Sequence, residues 1–392
     1  MSKWIPSWSY VPIDYNQEAV IYENVTQKAV FRNNLAGDKV RLKLCNLYHE
    51  AELTIDHVAL EIRNRVTGKK SQRLTVTYRG AEKILLPANT EDYSDEITYE
   101  ISAEDDFIVW MYFKEKTVMG TACVAYTGHS WQSMNFTGDF TETEALGFTM
   151  KAQIAPPLAM DPYPNQFVAG LSSICVHTAD DAQLIALFGD SITHMSYYSD
   201  ALIDHLYEKF PGKYAVINGG ICGNRILRSY PPAEMMPGKG HQFGIAGKDR
   251  FIRDMYDDAA PDLVFVLMGV NDCSHSIVFQ EETIPTAEDI FGALEDVIRQ
   301  AKEKGSKVYV STIMPFGSFG APWRDTVEEK RCQYNELIRT QNSADDWIDL
   351  DAVMRDPDDV HRMQEGMHLG DGVHPGWFGG RKMAAAMIEK WF

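Results

Sequence analysis

Apolar and polar positions follow two different rules along this chain. Up to about residue 178 they alternate with period two, as in Val40-Arg41-Leu42-Lys43-Leu44, Leu74-Thr75-Val76-Thr77-Tyr78 and Ile97-Thr98-Tyr99-Glu100-Ile101, with turn-rich or polar pieces between the runs. Alternation of this kind predicts short strands with one buried face. The wholly apolar segment 107–113 predicts a central strand buried on both faces, and no long amphipathic helix pattern precedes Ser191. Residues 1–180 therefore read as an all-β sandwich, jelly-roll-like domain. From Gln183 the rule changes, and apolar runs at 184–188, 214–217, 263–268 and 307–313 alternate with helical patterns. The clearest helix begins after Thr286 as N-cap, with Asp289 three residues on, Ile290, Leu294, Val297, Ile298 and Ala301 on one face, and Gly305 as its stop. Residues 181–392 read as an α/β domain with a doubly wound, flavodoxin-like parallel sheet.

Sheets of that kind bind ligands at the carboxyl ends of their strands. The first run ends in Gly189-Asp190-Ser191, and Met195, Tyr198, Leu202 and Leu206 follow at helical spacing. That places Ser191 at a helix N-terminus, where free amide donors favour a developing negative charge. After the second run, Asn218-Gly219-Gly220-Ile221-Cys222-Gly223-Asn224-Arg225 is a glycine-dense loop whose backbone amides can approach a substrate closely. The third run ends in Gly269-Val270-Asn271-Asp272, and the Asn271 amide is a further candidate donor. Near the C-terminus, Asp371 lies three residues before His374, in front of a helix carrying Met383, Met387, Ile388 and Trp391. An Asp in that position can fix the tautomer of the ring and leave its other nitrogen to take a proton from a serine. Each piece alone is a common turn, cap or loop. Their order and placement at successive strand ends join them.

Gly189-Asp190-Ser191-Ile192, Gly223, Gly269-Val270-Asn271-Asp272 and Asp371-Gly372-Val373-His374, in this order, resemble the SGNH hydrolases, also called GDSL esterases/lipases. The resemblance covers the C-terminal half. It implies Ser191 as nucleophile, Asp371 and His374 as its triad partners, and an oxyanion hole built from the Ser191 amide, the Gly223 amide and the Asn271 side chain. Gly219 and Gly220 compete with Gly223, which is preferred for its distance of five residues from Asn218. Many members carry Gly-Asp-Thr where this chain has Gly223-Asn224-Arg225, so it looks like a Gly-Asn-Arg subgroup that often carries an N-terminal β domain. Residues 40–47 resemble a strand of that domain.

The resemblance implies a serine esterase acting on short-chain carboxylic esters, deacetylating a carbohydrate through an acyl-enzyme on Ser191, with no organic cofactor and no metal. The expected partner is a small-molecule or oligosaccharide ester. A lipid or thioester hydrolase and an acyltransferase with the same triad remain alternatives, as does a non-catalytic binding protein on a hydrolase scaffold. Oligomeric state is not readable from the sequence. Composition narrows the field further. Among 392 residues, 37 Lys+Arg against 56 Asp+Glu give a formal charge of -19, which opposes attraction to nucleic acid and to anionic membrane surfaces. No apolar run approaches the roughly 20 residues that span a bilayer, and Met1-Ser2-Lys3-Trp4-Ile5-Pro6 lacks a signal-peptide core. The six cysteines are scattered singly, as expected of reduced, structural thiols, and the chain reads as cytoplasmic.

Rivals for the same roles lie near the motifs. His194 follows Ser191 closely and reads as a pocket wall or capping residue; His241, His275, His361 and His368 read as loop residues, and His368 with Asp371 lacks a third ligand for a metal. Cys222 and Cys273 read as small fillers beside the donor loop. Loops 231–247 and 316–323 are each a candidate lid or an ordinary connection. Trp4, Trp8, Trp110 and Trp131 read as core packing in preference to sugar-stacking platforms.

Overall fold

The protein, seen in a computed structural model, is described over residues 2–15, 18–144, 153–154, 166–229, 240–316 and 324–392. It divides into two compact units, Met1–Gln183 with Leu206–Ile217, and Leu184–His205 with Asn218–Phe392.

The first unit holds two five-stranded antiparallel sheets. One runs in the order Ser2–Ser9, Leu171–Ala179, Gly37–Asn46, Ile97–Ile101, with Thr90–Tyr93 also paired to Gly37–Asn46. The other runs Trp131–Thr137, Val25–Arg32, Asp105–Phe113, His57–Asn64, Leu74–Thr75. Apolar side chains from the two facing surfaces make the sandwich core. The Trp8 ring of the first sheet lies 4.4 Å from Phe31 and 5.5 Å from Trp131 of the second. Asp105–Phe113 is the central strand that the apolar run predicts, and it is buried at every residue. Its outer face is covered because Ala59, Ile108, Trp110 and Phe136 form a second cluster with Val30 and Phe140. Trp8, Trp110 and Trp131 are thus core residues, whereas Trp4 is half-buried beneath the Arg41 guanidinium. Leu74–Thr75 is shorter than the alternation predicts, because the chain turns back at Arg79 and Gly80, both at positive φ.

The parallel sheet runs in the order Tyr214–Gly220, Gln183–Gly189, Leu263–Leu267, Lys307–Ser311, Asp346–Ile348, the doubly wound order of flavodoxin-like folds. Pairs from Gln183–Gly189 to Asp346–Ile348 are parallel. No apolar run in the sequence marks the last strand, since only Ile348 of its three residues is buried. Helices α1 (Ser191–His194), α2 (Tyr197–Lys209), α3 (Gly247–Tyr256), α4 (Val270–Val278), α5 (Ala287–Glu303), α6 (Arg324–Gln341), α7 (Leu350–Met354) and α8 (Trp377–Trp391) connect and follow the strands. The start of α5 is a capping box. Asp289 N–H donates to Thr286 Oγ1 at 3.1 Å and Thr286 N–H to Asp289 Oδ2 at 2.9 Å. Its predicted stripe of Ile290, Leu294, Val297, Ile298 and Ala301 is fully buried, each large side chain contributing about 1.5–3 kcal/mol of transfer energy.

One expectation is corrected. The helical spacing after Ser191 predicts a single helix, yet the chain forms two, broken at Ser196, whose φ is 71°. Asn218 Nδ2 donates to Thr193 O at 2.7 Å and Ser196 Oγ to His194 O at 2.9 Å, so these carbonyls find partners outside a continuous helix. Met195, Tyr198, Leu202 and Leu206 are buried all the same.

Candidate active site

Ser191 stands where the strand Gln183–Gly189 ends. Asp190 is the N-cap of α1: its Oδ1 accepts the Ile192 N–H at 3.0 Å, which sets Ser191 as the first helical residue. The side chain of His374 reaches back to it, with Nε2 2.8 Å from Ser191 Oγ. On the far side of the ring, Nδ1 is 2.6 Å from Asp371 Oδ2, while Asp371 Oδ1 accepts the N–H groups of Val373 at 2.9 Å and His374 at 3.0 Å. A carboxylate against Nδ1 puts the ring proton there and leaves Nε2 as an acceptor for the serine hydroxyl. Partial burial works against the Asp371 charge, but the His374 bond and the two backbone donors outweigh it and hold the carboxyl down to about 2. Ser191, Asp371 and His374, 183 residues apart at the extremes, are thus brought into one hydrogen-bonded line.

The glycine loop is tied to the same helix. Ile221 N–H donates to Gly189 O at 3.2 Å, and Cys222 N–H to His194 Nδ1 at 3.1 Å. Of the three candidate glycines, Gly219 and Gly220 belong to the strand Tyr214–Gly220, and the Gly220 N–H is taken by Asn218 Oδ1 at 2.9 Å. Gly223 lies beyond the strand at φ 74°, a conformation that favours glycine, and a Cβ there would run into the Phe243 ring. Among the described residues the N–H groups of Ser191 and Gly223 have no acceptor. Asn271 sits in the first turn of α4, and its Nδ2 donates to Asn224 O at 2.9 Å, which leaves the second amide hydrogen for another acceptor.

Three neighbours escaped the sequence reading. Asp272 has no role assigned by the sequence; its two oxygens accept the N–H groups of Ile226 at 2.9 Å and Leu227 at 3.0 Å and pin the far end of the glycine loop. Arg250 is fully buried among the strand ends; the signal for it is a charged residue on the face of α3 that also buries Gly247, Phe251 and Met255. Asp190 is completely buried, and Oδ2 has no hydrogen-bond partner among the described residues. Desolvation pushes its carboxyl up to about 7, against the pull of the Ile192 N–H and of His374.

The rival residues have other work. His194 is buried as a brace of the glycine loop, and His368 Nδ1 accepts the N–H groups of Gly370 and Gly372 at 3.0 and 3.1 Å within its turn. His275 packs between Phe243 and Phe279, where burial first and Arg225 second push its ring down to about 3. His361 Nδ1 lies 2.8 Å from Glu328 Oε1. His241 occupies the short turn Gly240–Phe243. No cysteine is in a disulfide, and burial raises the Cys273 thiol. Among the described residues, one trio, Glu328, Cys332 and His361, brings metal-type ligand atoms within 4.8 Å of one another, but Glu328 is already held by Arg331 through both oxygens. Of the two loops that are each a candidate lid or an ordinary connection, residues 230–239 and 317–323 lie outside the described residues; Phe316 is buried. No described helix is long and apolar enough to cross a membrane.

A doubly wound sheet with a Ser-His-Asp line and amide donors at its carboxyl ends defines a hydrolase of the SGNH class. Residues 187–381 match the model of the GDSL-like Lipase/Acylhydrolase family, and the C-terminal half of the chain belongs to that family. Among solved structures, the chain is similar to an acetyl xylan esterase, with 22% identity over 53% of this chain and 100% of that one and a TM-score of 0.39. It is similar also to a GDSL-like lipase from Bacteroides thetaiotaomicron, with 18% identity over 53% and 87% and a TM-score of 0.37. An acetyl xylan esterase from Geobacillus stearothermophilus matches at 18% identity over 53% and 94%, with a TM-score of 0.38. No curated protein matches the chain.

Proposed function

We propose that this protein is a serine esterase that cleaves short-chain carboxylic esters and deacetylates a carbohydrate through an acyl-enzyme on Ser191. The observation that carries the reading is the unbroken line from Asp371 through His374 to Ser191, at 2.6 and 2.8 Å. Ser191 Oγ attacks the ester carbonyl as its proton passes to His374 Nε2. The oxyanion accepts hydrogen bonds from the Ser191 and Gly223 N–H groups and from the second hydrogen of Asn271 Nδ2. Collapse breaks the bond to the alkoxide, which leaves with the proton from His374. Water, deprotonated by His374, then attacks the acyl-enzyme, and Ser191 recovers the proton as the carboxylic acid departs. Asp371 keeps its charge throughout and steadies the imidazolium.

The acetyl group and the carbohydrate rest on the resemblance to two-domain members of the family. The partner in this reading is a small-molecule or oligosaccharide ester, and six thiols without a disulfide suit the reducing cytoplasm.

Ser191→Ala and His374→Ala are the test. Each is expected to lose nearly all turnover of 4-nitrophenyl acetate while keeping the parent's circular dichroism, and a fluorophosphonate is expected to label the parent on Ser191 alone. Parental turnover in either folded variant refutes the assignment. A preference for esters of eight or more carbons replaces the short-chain reading with a lipid hydrolase, and acetate release from acetylated oligosaccharides tests the carbohydrate.

A further inference from the structure

Arg250 is fully buried in α3, with its guanidinium 4.3 Å from the Phe188 ring centroid. It spends its donors on three separate strand-end segments. Nη2 donates to Gly189 O at 2.9 Å, directly before Asp190 and Ser191. Nη1 donates to Gly219 O at 2.9 Å at the entrance of the glycine loop, and to Asp254 Oδ2 at 2.9 Å one helical turn on. Nε donates to Asn224 Oδ1 at 2.9 Å, next to Gly223. Asn224 passes the constraint on. Its Nδ2 holds the carbonyls of Phe243 at 2.6 Å and Ile245 at 2.9 Å, and its own carbonyl accepts from Asn271 Nδ2 at 2.9 Å.

One planar cation therefore touches, directly or through Asn224, every segment that supplies an oxyanion donor in the proposed mechanism. We infer that Arg250, acting through Asn224, is a positioning residue that sets the mutual geometry of the Ser191, Gly223 and Asn271 donors. The inference rests on the esterase reading and adds to it the device that aligns the hole. Arginine suits the task because its donors radiate in a rigid fork, so acceptors on three chain segments are met by one group. In a buried, low-dielectric setting these charge-assisted bonds resist displacement. A lysine keeps the charge facing Asp254 but presents its donors from a single nitrogen, and cannot hold Gly189, Gly219 and Asn224 together.

The experiment compares Arg250→Lys with the parent on 4-nitrophenyl acetate, with fluorophosphonate titration to count competent serines. The expected result is a folded variant whose kcat per labelled site falls roughly 10²-fold, with KM changed by less than about threefold. Affinity for a trifluoromethyl ketone, which forms a tetrahedral oxyanion on the serine, is expected to fall with kcat/KM. A purely structural role would leave kcat per labelled site unchanged, and that result overturns the inference. Should Arg250→Lys fail to fold, Asn224→Ala decides by the same readouts, since it leaves the Arg250 and Asp254 pair in place; parental kcat per site in that variant is equally fatal. A parent lacking Ser191-dependent turnover refutes the esterase reading and this inference with it, whereas an active parent with unaffected variants refutes the inference alone.

Discussion

Replacing Asp190 by Asn isolates the cost of a buried carboxyl beside the nucleophile. Asn is as good an N-cap as Asp, so the bond to the Ile192 N–H survives, while the oxygen that has no partner loses its charge. In the folded protein desolvation, with Asp272 adding repulsion and His374 and Arg250 adding attraction, moves this carboxyl from 3.8 to about 7. The sign follows directly. Between pH 4 and 7 the unfolded chain has lost the Asp190 proton and the folded chain has kept it, so stability falls as pH rises through that window and levels off above it. At 1.36 kcal/mol for each tenfold change in the ionisation constant, the full effect is on the order of 4 kcal/mol. Asp190→Asn is therefore expected to match the parent near pH 4 and to exceed it increasingly up to pH 7 and beyond. Paired urea titrations at pH 4 to 8, with equal m values, measure the difference, and groups common to both proteins cancel. Parallel stability curves for the two proteins, or an Asn variant that is less stable at pH 8, would refute the reasoning.

Two further substitutions test the donor geometry. Asn271→Ala removes one proposed oxyanion donor and its bond to Asn224 O, and is expected to lower kcat for 4-nitrophenyl acetate by roughly 10²- to 10³-fold with little change in KM; an equal rise in KM with kcat preserved would assign Asn271 to substrate binding instead. Gly220→Ala places a Cβ against the backbone of Thr193 and His194, which cannot yield as a side chain would. It is expected to cost at least about 2 kcal/mol in urea unfolding and to lower kcat as α1 shifts, and a fully stable, fully active variant would contradict the packing described.

Why the candidate site is legible in the sequence and its supports are not comes down to which contacts are local. Ser191, Asn271 and the pair Asp371 and His374 each follow a pattern that a few residues define: an apolar run and its end, or an i to i+3 pair at a turn. Strand order then brings these ends to one edge of the sheet, so a sequence that reveals its strands reveals the site. The break after α1 has no such signature. It depends on Asn218 reaching Thr193 across 25 residues, and the helical spacing of Met195, Tyr198, Leu202 and Leu206 continues through it. The short strand Asp346–Ile348 is silent for a different reason, since two of its three side chains are half-exposed.

Arg250 shows the boundary most clearly. Its partners lie 61, 31 and 26 residues away, and none of those spacings means anything before the sheet is assembled. What the sequence does contain is the anomaly of a charge on a buried helical face, with Asp254 at i+4 to offset it. A buried cation needs acceptors, because an unpaired one is far too costly to keep. In a doubly wound sheet the carbonyls left over at the ends of the strands are the natural supply. The same carbonyls border the nucleophile and the glycine loop, so a cation satisfied by them is coupled to the geometry of the donors. A charged residue on the buried face of a helix that follows such a loop is therefore a local sign of a non-local clamp, and in Arg250 that sign becomes legible once the buried face of α3 is known.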